Sequence, residues 1–226
     1  MFDDISAYFY ENVVLSYLDY LEIHNSDTFG RSNDLRSSLT AASALYHLRE
    51  HIPPIYKKER SDIEQLCPDY KILGDIVNAA KHKELTKRKP ELKDAQDIYE
   101  RTMQIMFEDE EGNYYDSRKI VVVKLIDGSE RFLIDILTNV INFWGEELVK
   151  YGIEKNYNPF PKIKLPGTRF LRRDEVKSLN HVAVRGIRFK QNIQLMIFDK
   201  SLGYAVPQDL SGTTIQYRIF KPSFSL

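Results

Sequence analysis

Apolar residues recur every three or four positions over residues 3–25. Ile5, Phe9, Val13, Leu18 and Leu21 make a stripe that Tyr8, Tyr17 and Tyr20 broaden, the period of an amphipathic helix. A face that wide suits burial against two neighbouring helices or against a second copy of the chain. Residues 25–33 read as a polar loop punctuated by Gly30. A second helical pattern runs over residues 34–52 and is stopped by Pro53-Pro54. Leu35, Leu39, Ala42, Leu45, Tyr46, Leu48 and Ile52 form its apolar arc, and Arg36, Thr40, Ser43, His47 and His51 follow the other side. The small residues Ala41 to Ala44 permit close approach of another helix. Residues 55–67 suggest a short helix or helical turn. Pro68-Asp69 then opens a third long pattern, running to about Leu85. Its apolar face is Ile72, Leu73, Ile76, Val77 and Ala80, while Asp75, Asn78 and His82 fall opposite, within about 60° of arc.

The period shortens after Asp94. Residues 99–107 lean to strand, Glu108 to Gly112 reads as an acidic turn, and residues 119–126 (KIVVVKLI) are the clearest strand in the chain. Asp127-Gly128 is a hairpin signal, with a short return strand over residues 130–132. Leu137, Val140, Ile141, Trp144, Leu148 and Tyr151 restore a helical stripe over residues 133–151, expected to bury Trp144. Residues 153–168 read as a linker. Beyond them, short β-like runs fall at 182–189, 193–198, 203–206 and 213–220. The expected architecture is α+β: an N-terminal helical bundle (1–152) with a small antiparallel β-meander inserted near 98–132, followed by a basic, β-rich C-terminal part (169–226).

Charge changes this picture more than composition does. The 226 residues are 42% hydrophobic and 29% charged, enough for a sizeable core. The net charge of −1 hides an asymmetry: residues 1–154 carry 19 Lys and Arg against 29 Asp and Glu, and residues 155–226 carry 13 against 4. A basic tail beside an acidic body either docks on that body or meets an anionic partner. Arg185, Arg188 and Lys190 stand among Val, Ile and Phe, an interleaving found both on nucleic-acid surfaces and on the outer faces of small sheets. No apolar run is long enough to span a membrane. The acidic start Met1-Phe2-Asp3-Asp4 has no signal-peptide character, and the single Cys67 forms no internal disulfide. A cytoplasmic, reduced protein with no membrane partner is expected.

His47-Leu48-Arg49-Glu50-His51 matches the inverted zinc-peptidase pattern H-x-x-E-H. It lies at a helix end with no third ligand in view, so an exposed or hydrogen-bonded His pair is expected, and neither a metal nor a cofactor. Cys67 has no basic neighbour to mark a thiolate and reads as a core residue. No Gly-rich phosphate loop and no Gly-x-Ser-x-Gly elbow is present.

Two strings, Ala44-Leu45-Tyr46-His47-Leu48-Arg49-Glu50-His51 and Asp75-Ile76-Val77-Asn78-Ala79-Ala80-Lys81-His82, resemble those of the HEPN-like helical bundles of bacterial defence and toxin systems. The resemblance covers residues 1–152. The β-hairpin followed by a Trp-bearing helix also looks like elaborated members of that group. The family's ribonuclease motif is Arg, a polar residue, three free positions and His. Here Asn78 takes the polar position and His82 the His position, while Val77 stands where the family has Arg. The resemblance implies metal-independent chemistry in which His82 exchanges a proton with a ribose 2′-hydroxyl. Asn78 is expected to orient that imidazole or to donate to a phosphate oxygen, and with Val77 at the Arg position the cation is expected from Lys81, or from the more distant Arg36 or Arg49. Asp75, Arg36, His47, Arg49, Lys83, Lys87 and Arg88 are the residues expected around the substrate. The implied partners are RNA, a second copy of the chain as a homodimer, and a partner protein of a defence or toxin–antitoxin system. The other reading, which Val77 favours, is a non-catalytic dimeric interaction module or scaffold.

Overall fold

The computed structural model describes residues 4–26, 33–82, 89–162, 169–176 and 192–212. The first helix opens at Asp4, whose carboxylate accepts from the Ala7 N–H at 2.7 Å, satisfying a donor that the helix start leaves unpaired. It runs as α1 (Ile5–Tyr8), a π-helical segment (Phe9–Val14) and α2 (Leu15–Asn25) without a break. Tyr17 and Tyr20, rather than Leu18, take its central core positions: both are buried, and Leu18 is 40% exposed. The Tyr17 hydroxyl finds Thr138.

Helix α3 (Asn33–His51) packs against the first helix and against α5 (Pro68–Lys81). Ala41, Ala42 and Ala44 are buried at these contacts. Between α3 and α5 lie a 3-10 turn (Pro54–Tyr56) and α4 (Arg60–Leu66). Cys67 is buried, and burial pushes its thiol up to about 11, which leaves it unreactive near neutral pH. Asp69, in the first turn of α5, ties that helix to later parts of the chain, accepting from Arg131 and Asn139.

The described strands form one sheet. β1 (Ile98–Asp109) and β2 (Gly112–Lys124) pair antiparallel from Ile98↔Val123 to Asp109↔Gly112. Gly112, at φ 107°, makes the turn that a side chain would strain. β3 (Glu130–Phe132) pairs antiparallel with β2. On the other edge of β1 lies β4 (Asn192–Asp199), in parallel, followed by antiparallel β5 (Tyr204–Pro207). The order is β3-β2-β1-β4-β5.

This corrects the sequence-based architecture. The strands do not form an antiparallel meander inserted in the bundle. They form a mixed five-stranded sheet in the C-terminal half, with the main run of helices before it. Local periodicity shows where strands lie and where they turn, but not which distant strand will pair with the open edge of β1. Ile120, Val121, Val122 and Val123 are all fully buried, as expected of a strand covered on both faces.

Helix α6 (Leu133–Lys150) returns to the bundle and buries Trp144 against Tyr70, edge to face at 6.1 Å. The segment after it folds back along the helix. Asn142 holds Phe160 through both of that residue's backbone groups, and the Tyr157 ring sits on Gly145, where a Cβ would collide with it. Among the described residues, no helix is long and apolar enough to cross a membrane.

Candidate functional site

Helix α3, from Arg36 to His47, and the start of the first helix enclose an open groove of about 540 Å³, lined by Tyr8, Asn12, Arg36, Leu39, Thr40, Ser43, Ala44 and His47. Its polar wall is the stripe read from the sequence, with Arg36, Thr40, Ser43 and His47 placed along one side of α3 by helical spacing. Its other wall comes from the α1 end and the π-helical segment, where Tyr8 and Asn12 interact through their side chains. A π-helical turn inside an α-helix is a frequent companion of functional sites.

At the end of the groove three charged or titratable side chains meet. His47 Nδ1 lies 2.9 Å from Glu50 Oε1, and His47 Nε2 lies 3.2 Å from Lys81 Nζ. The hydrogen bond to His47, with His51 and Lys81 nearby, holds the Glu50 carboxyl below its usual range. The His51 ring stacks on Tyr8 with centroids 3.7 Å apart. Arg36 and Lys81 are exposed, and His47 is partly buried. The arrangement offers an anion two cations, one imidazole and several neutral donors on one wet surface.

The two strings of the sequence therefore meet at His47 and Lys81, though not all of their residues do. Asp75 is buried and accepts from the Glu91 N–H at 2.7 Å. The face of α5 expected to be wet is thus covered at that point by the chain leading into β1. Asn78 is half-buried. Helix α5 ends at Lys81, short of Leu85, and His82 caps it in an extended conformation (φ −128°, ψ 138°), its N–H donating to the Asn78 carbonyl at 2.9 Å. His82 is exposed and has left the helical face that Asn78 occupies. Arg49 turns to the neighbouring loop, donating to the Lys58 carbonyl at 3.1 Å and reaching Glu59. Lys83, Lys87 and Arg88 lie outside the described residues.

His47 and His51 do not aim at a common point. One is held between Glu50 and Lys81 and the other is stacked on Tyr8. Among the described residues no three His, Cys, Asp or Glu side chains gather as a metal would require. Sequence reasoning missed Tyr8 and Asn12, which it absorbed into the apolar first helix, and Glu50, which it weighed only inside the zinc string. The signal for Glu50 was its place three residues after His47, one turn along the same face. Compared with family models, curated proteins and solved structures, the chain shows no match.

Proposed function

We propose that this chain is a HEPN-like, RNA-directed protein of the kind found in bacterial defence and toxin systems, and that the groove between the first helix and α3 receives the phosphodiester backbone. The observation that carries this reading is the meeting of Lys81 with His47 at 3.2 Å, at the end of a groove that Arg36 also lines. Phosphate oxygens accept from such cations and from hydroxyl and amide donors such as Thr40, Ser43 and Asn12. The test is binding of single-stranded RNA across a salt series. Binding that weakens steeply with salt, with a shallower slope in Arg36→Ala, supports phosphate contact in this groove. Salt-insensitive binding, or an unchanged slope in Arg36→Ala, counts against it.

A second reading, a non-catalytic dimeric module, is favoured by the outer face of the first helix. Tyr10 is 56% and Leu18 40% exposed there, apolar surface that a second copy of the chain would cover. Sedimentation of the wild type beside Leu18→Lys tests it: a dimer that the substitution dissociates supports this face as the interface, and a monomer throughout removes it.

A further inference from the structure

We propose that His47, not His82, is the proton-moving group of this groove, oriented by Glu50 and capped by Lys81 until an anion draws the cap away. The assignment rests on the RNA-directed reading above. It comes from the two contacts of one imidazole. The Glu50 carboxylate can only accept a hydrogen bond, so the Nδ1 that faces it at 2.9 Å carries the ring proton. The Lys81 ammonium can only donate, so the Nε2 that faces it at 3.2 Å presents its lone pair. Both neighbours select the same tautomer of neutral imidazole. A carboxylate holding Nδ1 so that Nε2 can act as base is the orienting logic of many His-based sites. Among the described residues His82 has no comparable side-chain partner: it is exposed and lies beyond the end of α5.

The cap is a cation on a flexible stem at an exposed position. A phosphate in the groove competes for its N–H donors and attracts it more strongly than a neutral imidazole does. Once Lys81 turns to the phosphate, Nε2 is bare and beside it. Nε2 then takes the proton of a ribose 2′-hydroxyl, the 2′-oxygen bonds to phosphorus, and the bond from phosphorus to the 5′-oxygen breaks. The proton held on His47 passes through solvent to the departing 5′-oxygen. The products are a 2′,3′-cyclic phosphate and a 5′-hydroxyl, and no further reactant is consumed. Lys81 offsets the charge gathering on the phosphorus oxygens. Glu50 is a positioning residue.

The experiment measures binding and cleavage of one short single-stranded RNA on the same preparations, in EDTA and near neutral pH. The 2′-O-methyl version of that RNA serves as the uncleavable control. Wild type should bind both and cut only the first, leaving the cyclic phosphate. His47→Gln, checked for its fold by circular dichroism, should bind nearly as well and cut at least about a hundredfold more slowly. Glu50→Gln should cut about tenfold more slowly and show a displaced pH–rate profile, which a merely structural contact would not produce. A separate readout needs no activity: diethyl pyrocarbonate modifies an imidazole whose lone pair is bare. Its rate at His47, followed by peptide mapping, should rise about threefold or more in Lys81→Ala. Wild type that binds with steep salt dependence but does not cut, or His47→Gln that cuts at the wild-type rate, overturns the assignment and leaves the RNA-directed reading standing. An unchanged modification rate in Lys81→Ala overturns the cap. Wild type that does not bind RNA overturns the reading, and the assignment with it.

Discussion

Helix α3 begins beside one acid–cation cluster and ends beside another. At its start Asp34 faces Lys119 of β2 at 2.8 Å, both side chains only 2% exposed. The same ammonium donates to the Ile23 carbonyl at 2.6 Å and to Ser26 at 3.0 Å. Glu100, on the adjacent strand β1, adds a second carboxylate there, one oxygen of which is buried with no hydrogen-bond partner among the described residues. At the far end of α3, Glu50, His47 and Lys81 form a similar chain of contacts, but Glu50 is 64% exposed and Lys81 is exposed too. The dry cluster joins the first helix and α3 to the sheet, and disturbing it strands charge away from water. The wet cluster can lose a partner to solvent or to a ligand at little cost to folding. Similar residue types thus serve the fold at one end of α3 and are available to bind at the other.

The sharpest way to break this comparison is Lys119→Met. It leaves Asp34 and Glu100 buried with no ammonium, and about 3–5 kcal/mol of unfolding free energy should be lost in urea titration. A loss under about 1 kcal/mol would show that water reaches Asp34 and that the two clusters are alike. Next in size is a pH effect. Burial, with help from nearby Asp34 and against the pull of Lys119, pushes the Glu100 carboxyl from 4.5 up to about 7. The folded state then holds a proton that the unfolded chain releases at lower pH. The stability from that proton is fully present below pH 4.5 and is lost as the pH rises through about 7. Glu100→Gln should flatten the unfolding midpoint across that window, and equal slopes in both proteins would count against it.

Arg36→Ala should weaken RNA binding about threefold to tenfold while the urea midpoint stays put, because one phosphate contact goes and no core contact does. Smallest of all, Glu50→Gln should change unfolding free energy by no more than about 0.5 kcal/mol. A larger loss would mean that the end of α3 depends on Glu50 as its start depends on Asp34.

The helices, and the strands near 98–132, 193–198 and 203–206, were legible because their periods are local, while the runs expected at 182–189 and 213–220 lie outside the described residues. Residues 130–132 and the stripe through Trp144 needed only near neighbours to be read. The π-helical segment was not, since one extra residue in a turn leaves the apolar pattern of Phe9 and Val13 intact. Lys119 looked like the polar edge of a strand, and its burial depends on Asp34, which is far away in sequence. Asp75 looked wet for the same reason: the Glu91 backbone that covers it lies 16 residues further along the chain. In the candidate site, helical spacing placed Arg36, Thr40, Ser43 and His47 on one stripe. It could not show that Lys81 would reach His47 while Asp75 and Arg49 turned elsewhere. That selection is made by how α3 and α5 pack, which no single-helix pattern contains.

The parallel pairing of β1 with β4 bears on how the protein is made. β1 ends at Asp109 and its partner begins at Asn192. On a ribosome adding roughly 5–20 residues per second, the edge of β1 waits several seconds for that partner to be synthesised. Until then the nascent chain carries a strand with one unpaired edge and apolar side chains such as Met103 and Ile105, a template for pairing with a neighbouring nascent chain. Expression slowed by temperature prolongs that wait, whereas a chaperone holding the edge covers it. The yield of soluble protein should therefore respond more to chaperone supply than to substitutions in the early helices.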